Sequence, residues 1–265
     1  MTTSNDQMRS RSYLLPVEDT QFLLRDELRA IRFALEYAKA ELILRDWCIR
    51  STIIVFGSAR VPSPEALDMM SESSPAETAL RSRQRTWYEA AREFGRIASV
   101  RGGALQVNGQ WRDNVVATGG GPGLMEAANR GAHEAGAPTI GFNITLPTEQ
   151  RPNPYTTPEL TFRFHYFAMR KMHLAMRANG LAIFPGGFGT MDELFELLTL
   201  MQTAKAPRFP IVLFDRQYWR EIVNFEALVA TGMVSPEHCQ LFDYADSPEE
   251  SWHSMQRIGL RARPD

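Results

Sequence analysis

The sequence predicts an α/β protein: a doubly wound parallel sheet with helices on both faces and an added N-terminal helical segment. Three observations carry this. Apolar, β-branched runs such as TIIVF (52–56), NVVAT (114–118) and IVLF (211–214) are continuous rather than alternating, as in strands buried on both faces. These runs alternate with segments of helical periodicity. Two strand-to-helix turns, at 119–123 and 186–189, are rich in glycine. In doubly wound sheets such turns line the ligand site beyond the carboxyl ends of the strands.

Taken in order, residues 1–16 read as a disordered lead. From about Asp19 to Arg50, Phe22, Leu23, Leu28, Ile31, Leu35, Ala38 and Leu42 recur at helical spacing, giving one long or two shorter amphipathic helices. The boundaries are 17–50 for this extension and 51–265 for a single α/β domain. The first strand, within TIIVFGSAR (52–60), delivers the small residues Gly57 and Ser58. Residues 61–80, rich in Ser, Pro and Glu, predict a surface loop. A helix is expected at about 84–100, a strand at 114–118, a helix from Pro122 to about Ala135, and a strand at 139–144. The proline-rich crossing at 146–160 leads to a strand at about 161–165 and a helix at about 167–179. Then come a strand at 181–184, a helix at 191–203, a strand at 211–214, a helix at about 216–230, and a last strand and helix.

The bulk composition narrows the function classes. Hydrophobic residues make up 44% of the 265, enough for a core without disulfides or metals. The net charge of −2 gives no electrostatic reason to expect nucleic acid or an anionic membrane as partner. Cys48 and Cys239 are far apart and show no metal-ligand spacing, so a reducing, cytoplasmic setting is expected and no metal. No stretch reads as a signal peptide or a membrane span. The five histidines form no triad or metal spacing, and only Lys39, Lys171 and Lys205 are available to a mechanism needing a lysine.

In ATGGGPGLMEAANRG (117–131), Gly119, Gly120 and Gly121 follow a strand, and Pro122 suits a first helical position. The small residues Ala127, Ala128, Gly131 and Ala132 are expected to let the helix sit close to the sheet. A helix start offers free N–H groups and partial positive charge to a phosphate. Neither the dinucleotide fingerprint nor the Walker pattern fits this loop, so tight packing and ligand binding both stay open. In AIFPGGFGTMDELFELL (182–198), Gly186, Gly187 and Gly189 again follow a strand. Glu193 has two readings: a carboxylate over a bound anion, or the third position of a capping box begun by Thr190. Arg170 and Lys171 interrupt the apolar run FHYFAMRKMHLAM (164–176) and point about 100° apart on a helix, so they serve different ends.

These residues resemble the LONELY GUY family of cytokinin-activating phosphoribohydrolases, whose members often carry the label "possible lysine decarboxylase". The resemblance rests on GGGPGLMEAANRGA, on Arg170-Lys171, and on PGGFGTMDE (185–193), which matches P-G-G-x-G-T-x-x-E at every fixed position. It covers about residues 50–215 and implies a Rossmann-like fold that hydrolyses the N-glycosidic bond of a nucleoside 5′-monophosphate, without cofactor or metal. Arg170 and Glu193 match the catalytic pair. Gly186, Gly187, Phe188, Gly189 and Thr190, with Gly119, Gly120, Gly121 and Gly123, match the phosphate cradle. Gly57, Ser58, Met125, Lys171 and Asp192 join the substrate-binding set, Thr199 matches a binding threonine, and Glu149 a ribose-contacting glutamate. Arg170 is expected on the phosphate or on the leaving base. The resemblance also implies a homodimer or larger homo-oligomer.

The chemistry is consistent with that expectation, since a carboxylate beside C1′ can stabilise an oxocarbenium-like sugar or activate water. Pyridoxal-dependent decarboxylation is rejected, because no lysine has the sequence setting it needs. The alternative is a non-catalytic carrier of a phosphorylated ligand such as molybdenum cofactor, and AMP competes with a cytokinin nucleotide as substrate.

Overall fold

The computed structural model describes residues 4–71, 74–105, 111–146 and 151–260. Seven strands form one sheet: β1 (Thr52–Phe56), β2 (Val115–Thr118), β3 (Ile140–Ile144), β4 (Thr161–Phe164), β5 (Ala178–Ile183), β6 (Ile211–Phe214) and β7 (Asp243–Ala245). All neighbours pair parallel, in the order β4-β3-β2-β1-β5-β6-β7. The chain moves outward from β1 to β4, then returns to the other side of β1. The switch point therefore lies between β1 and β5.

The helices are α1 (Ser4–Met8), α2 (Thr20–Leu23), α3 (Arg29–Asp46), α4 (Pro64–Asp68), α5 (Pro75–Gly102), α6 (Leu124–Glu134), α7 (Phe167–Met176), α8 (Phe188–Gln202), α9 (Arg216–Ile222), α10 (Phe225–Ala230) and α11 (Pro248–Ile258). Strand periodicity divides the core in two. Ile54 and Phe56 face the cluster built with α3, α7 and α8, while Ile53 and Val55 face the one built with α5, α6 and α11. Among the described residues no helix is long and apolar enough to cross a membrane.

Several boundaries differ from the sequence expectation, each for a local reason. The segment 4–13, inside the expected lead, holds α1 and a 3₁₀ turn. The expected loop at 61–80 contains α4 and the start of α5. Ser74 and Glu77 form a capping box with Pro75 at the first helical position, and this adds more than two turns to the expected helix. Helix α6 begins at Leu124, because Gly123 caps it at φ +75°, a conformation open to glycine. The expected helix at 216–230 breaks in two where Asn224 caps α10.

The N-terminal extension is tied into the sheet. Backbone N–H groups of His165 and Tyr166 donate to the Glu36 carboxylate, at 2.9 and 3.3 Å. Tyr166 caps α7 without a side-chain bond of its own, so Glu36 of α3 supplies the anion that the start of α7 favours. At the other end, Arg177 pairs with Glu41 at 2.7 Å. Helix α7 is thus braced at both ends, and it carries Arg170.

Candidate functional site

A cleft of about 590 Å³ opens at the switch point. Its floor comes from Phe56 to Arg60 after β1 and its wall from Gly186 to Glu193 after β5. The two loops are joined where Ser58 N–H donates to the Pro185 carbonyl (3.0 Å). Phe167, Arg170, Met125, Tyr218 and Ile222 complete the lining.

Two glycines of the second loop are spare in a telling way. A Cβ on Gly187 or on Gly189 would meet no atom within 4 Å, whereas one on Gly186 would lie 2.1 Å from Thr190 Oγ1. Gly186 is required by packing; Gly187 and Gly189 leave open space beside the start of α8. That helix begins at Phe188 and has Gly187 as its cap, with no side-chain cap bond. The capping-box reading of Thr190 and Glu193 is therefore corrected: both lie inside the first turns, where neither can cap.

Glu193 is 4% exposed and Arg170 8%. The Arg170 Nη1 group approaches Glu193 Oε1 at 3.3 Å, and its Nε donates to the Phe142 carbonyl at 2.7 Å. Burial pushes the Glu193 carboxyl up to about 7, with Arg170 and then Lys171 pulling the other way. Burial likewise lowers the Arg170 guanidinium. The result is a carboxyl group poised near neutrality and held by a buried cation, the setting of a proton-transferring group.

The other residues singled out by sequence divide by role. Gly57, Ser58, Met125, Gly186, Gly187, Phe188, Gly189, Thr190 and Asp192 line the cleft with the pair. The loop at 119–123 is not among the lining residues, and its glycines are closely packed. A Cβ on Gly119 would lie 2.5 Å from Arg170 Nη2, one on Gly120 (φ +69°) 2.4 Å from the Asn143 amide, and one on Gly123 2.3 Å from the Ser58 carbonyl. Its carbonyls are bound as well: Asn153 N–H donates to Gly120, and the Asn153 side chain donates to Gly121 and to Asn129. Lys171 points away and bonds Asp192 at 2.7 Å and Glu196 at 2.9 Å. Thr199 is exposed on that same side, donating to the Phe195 carbonyl, so neither lines the cleft. Glu149 lies outside the described residues.

Sequence reasoning missed Arg60, Phe167, Ile222 and Tyr218. The Tyr218 hydroxyl donates to the Gly186 carbonyl at 2.7 Å, fixing the plane of the Gly186–Gly187 peptide. Tyr218 is itself set by Asp215, which holds a left-handed backbone (φ +69°), accepts from Tyr218 N–H, and takes further bonds from Trp87 and Arg83. The available signal was a residue pair just past β6, on the strand that neighbours β5.

The family model described as possible lysine decarboxylase matches residues 125–255. The match takes in α10 and most of α11, beyond the range the motifs covered. A cytokinin riboside 5′-monophosphate phosphoribohydrolase LOG7 of Arabidopsis thaliana is 27% identical over 149 residues, 54% of this chain and 67% of the relative. A probable enzyme of the same name, LOGL5, of Oryza sativa subsp. japonica is 29% identical over 54% of this chain and 59% of its own length. The chain thus spans about three fifths to two thirds of these relatives. Among solved structures, a molybdenum cofactor binding protein from the phototrophic bacterium Rippkaea orientalis is similar at 20% identity and a TM-score of 0.48, over 79% of this chain and 98% of that one. That likeness is too loose to bear on function. Over its C-terminal half the chain is thus similar to the family described as possible lysine decarboxylase, and over a little more than half of its length to relatives named as LOG-type phosphoribohydrolases.

Proposed function

We propose that the protein hydrolyses the N-glycosidic bond of a nucleoside 5′-monophosphate, releasing free base and ribose 5-phosphate. The observation that carries this reading is the buried Arg170–Glu193 pair, with its carboxyl near 7, at the mouth of a loop with open space at Gly187 and Gly189. The substrate class follows that of the named relatives. In the reaction the C1′–N bond breaks and its electron pair leaves with the base, which takes up a proton. Water forms the new C1′–O bond, and its proton passes to the ionised Glu193. The same carboxylate offsets positive charge at C1′ in the transition state. Arg170 holds the carboxylate in place, since its Nε and Nη1 are already engaged. The phosphate rests on the 186–190 segment, where the N–H groups that open α8 favour an anion.

Decarboxylation on pyridoxal is disfavoured by the lysines present. Lys39 and Lys205 are exposed and Lys171 is ion-paired twice. A homo-oligomer, implied by the resemblance, is part of the proposal; light scattering of the purified protein tests it. The direct test of function is a panel of nucleoside 5′-monophosphates, cytokinin nucleotides and AMP included, assayed for free base and ribose 5-phosphate. Tight binding with no product from any of them would favour a carrier and overturn the hydrolase reading.

A further inference from the structure

The charges lining the cleft do not all cancel among the described residues. Arg170 is taken by Glu193 and the Phe142 carbonyl. Asp192 is taken by Lys171. Arg60 is the remaining charged residue on the lining, exposed, with no acidic partner among the described residues. Its backbone is nevertheless well anchored. Its N–H donates to Ser58 Oγ at 3.1 Å, and the Ser58 carbonyl accepts from Leu124 N–H at 3.0 Å. Gly123 packs against that same carbonyl so closely that a Cβ would collide with it. The first glycine loop and the loop after β5 therefore clamp the segment 57–60 from two sides, and the clamped segment delivers to the cleft a guanidinium with no acidic partner among the described residues.

We propose that Arg60 binds the 5′-phosphate of the substrate and sets the preference for nucleotide over nucleoside, an inference that rests on the nucleotide reading above. Without Arg60, a phosphate entering this cleft would meet only charges already paired, Glu193 with Arg170 and Asp192 with Lys171. A guanidinium fork answers a phosphate with two charge-assisted hydrogen bonds. The 186–190 segment gives the anion its shape of seat, and Arg60 gives it the missing charge. The sequence motifs assign no role to this residue, because nothing in GSAR shows that the β1 loop faces the β5 loop.

The test is calorimetric titration of the whole protein and of Arg60→Gln and Arg60→Lys with AMP and with adenosine, alongside product release. Both variants should melt as the wild type does, since the side chain is exposed. Arg60→Gln should weaken AMP binding by at least about tenfold while leaving adenosine binding unchanged, and Arg60→Lys should recover part of the loss. Raising the salt concentration should erode AMP binding to the wild type more than to Arg60→Gln. Wild type that binds AMP while cleaving neither AMP nor a cytokinin nucleotide would sink the hydrolase reading and leave the Arg60 assignment standing. AMP binding within twofold in Arg60→Gln, an equal loss for adenosine, or no AMP binding by the wild type would overturn the assignment.

Discussion

A carboxyl group pushed up to about 7 has consequences for both rate and stability. Because the proposed reaction needs the ionised form, kcat/KM should rise with pH and reach half its maximum near pH 7. Glu193→Gln should lose about 10²–10⁴-fold in turnover, with helical content unchanged, because Glu193 caps nothing. The stability effect has the opposite sign from an ordinary surface carboxylate. Native Glu193 holds its proton to higher pH than the unfolded chain, so its contribution is full below about 4.5 and is lost as pH rises through about 7. Urea titrations of wild type and Glu193→Gln at pH 5 and pH 8 measure that difference; a pH-independent gap between the two would contradict the buried-carboxyl account. Tyr218 acts one step further out, through the Gly186 carbonyl. Tyr218→Phe removes only that hydroxyl and should raise KM for AMP several-fold, about 1 kcal/mol for one hydrogen bond, with turnover less affected. An unchanged KM would mean that the peptide plane holds without it.

Glycines that look alike in sequence do different work in their elements. A Cβ at Gly131 would sit 1.8 Å from the Arg92 carbonyl, and one at Gly95 would sit 2.2 Å from the Ala128 carbonyl. The small residues of α6 therefore serve its contact with α5 at least as much as the approach to the sheet that the sequence suggested. Gly131→Ala should force the two backbones apart and destabilise by about 1–3 kcal/mol, a drop of several degrees in Tm. At Gly189 a Cβ meets nothing within 4 Å. Gly189→Ala should leave Tm unchanged or slightly raised and yet weaken AMP binding, since the methyl occupies the proposed seat. Equal melting of Gly131→Ala and wild type would contradict the packing account, and unchanged AMP affinity in Gly189→Ala would contradict the seat. Element starts were the least legible feature for a related reason. The α5 start at Pro75 hides in a stretch whose Ser, Pro and Glu content reads as loop, although the same residues spell a capping box.

At the scale of the molecule, the parallel sheet was readable because strands buried on both faces leave uninterrupted apolar runs, as TIIVF and IVLF do. The pair Arg170–Glu193 was expected only through the family resemblance, since the local sequence left Glu193 open between a carboxylate over an anion and a capping position. Arg60 and Tyr218 were not, since each enters the cleft only through the order β1-β5-β6, which brings three loops distant in sequence to one edge of the sheet. The same order explains why the first glycine loop, after β2, ends up locking the segment after β1 rather than lining the cleft. One measurement bears most directly on the whole: release of ribose 5-phosphate from AMP and of free ribose from adenosine, at matched concentrations near pH 7.5, by wild type and by Glu193→Gln. The account predicts product from AMP, adenosine slower by at least about tenfold for want of the phosphate contacts, and almost none from either with Glu193→Gln. Equal turnover of adenosine and AMP, or a Glu193→Gln variant that cleaves AMP normally, would contradict it.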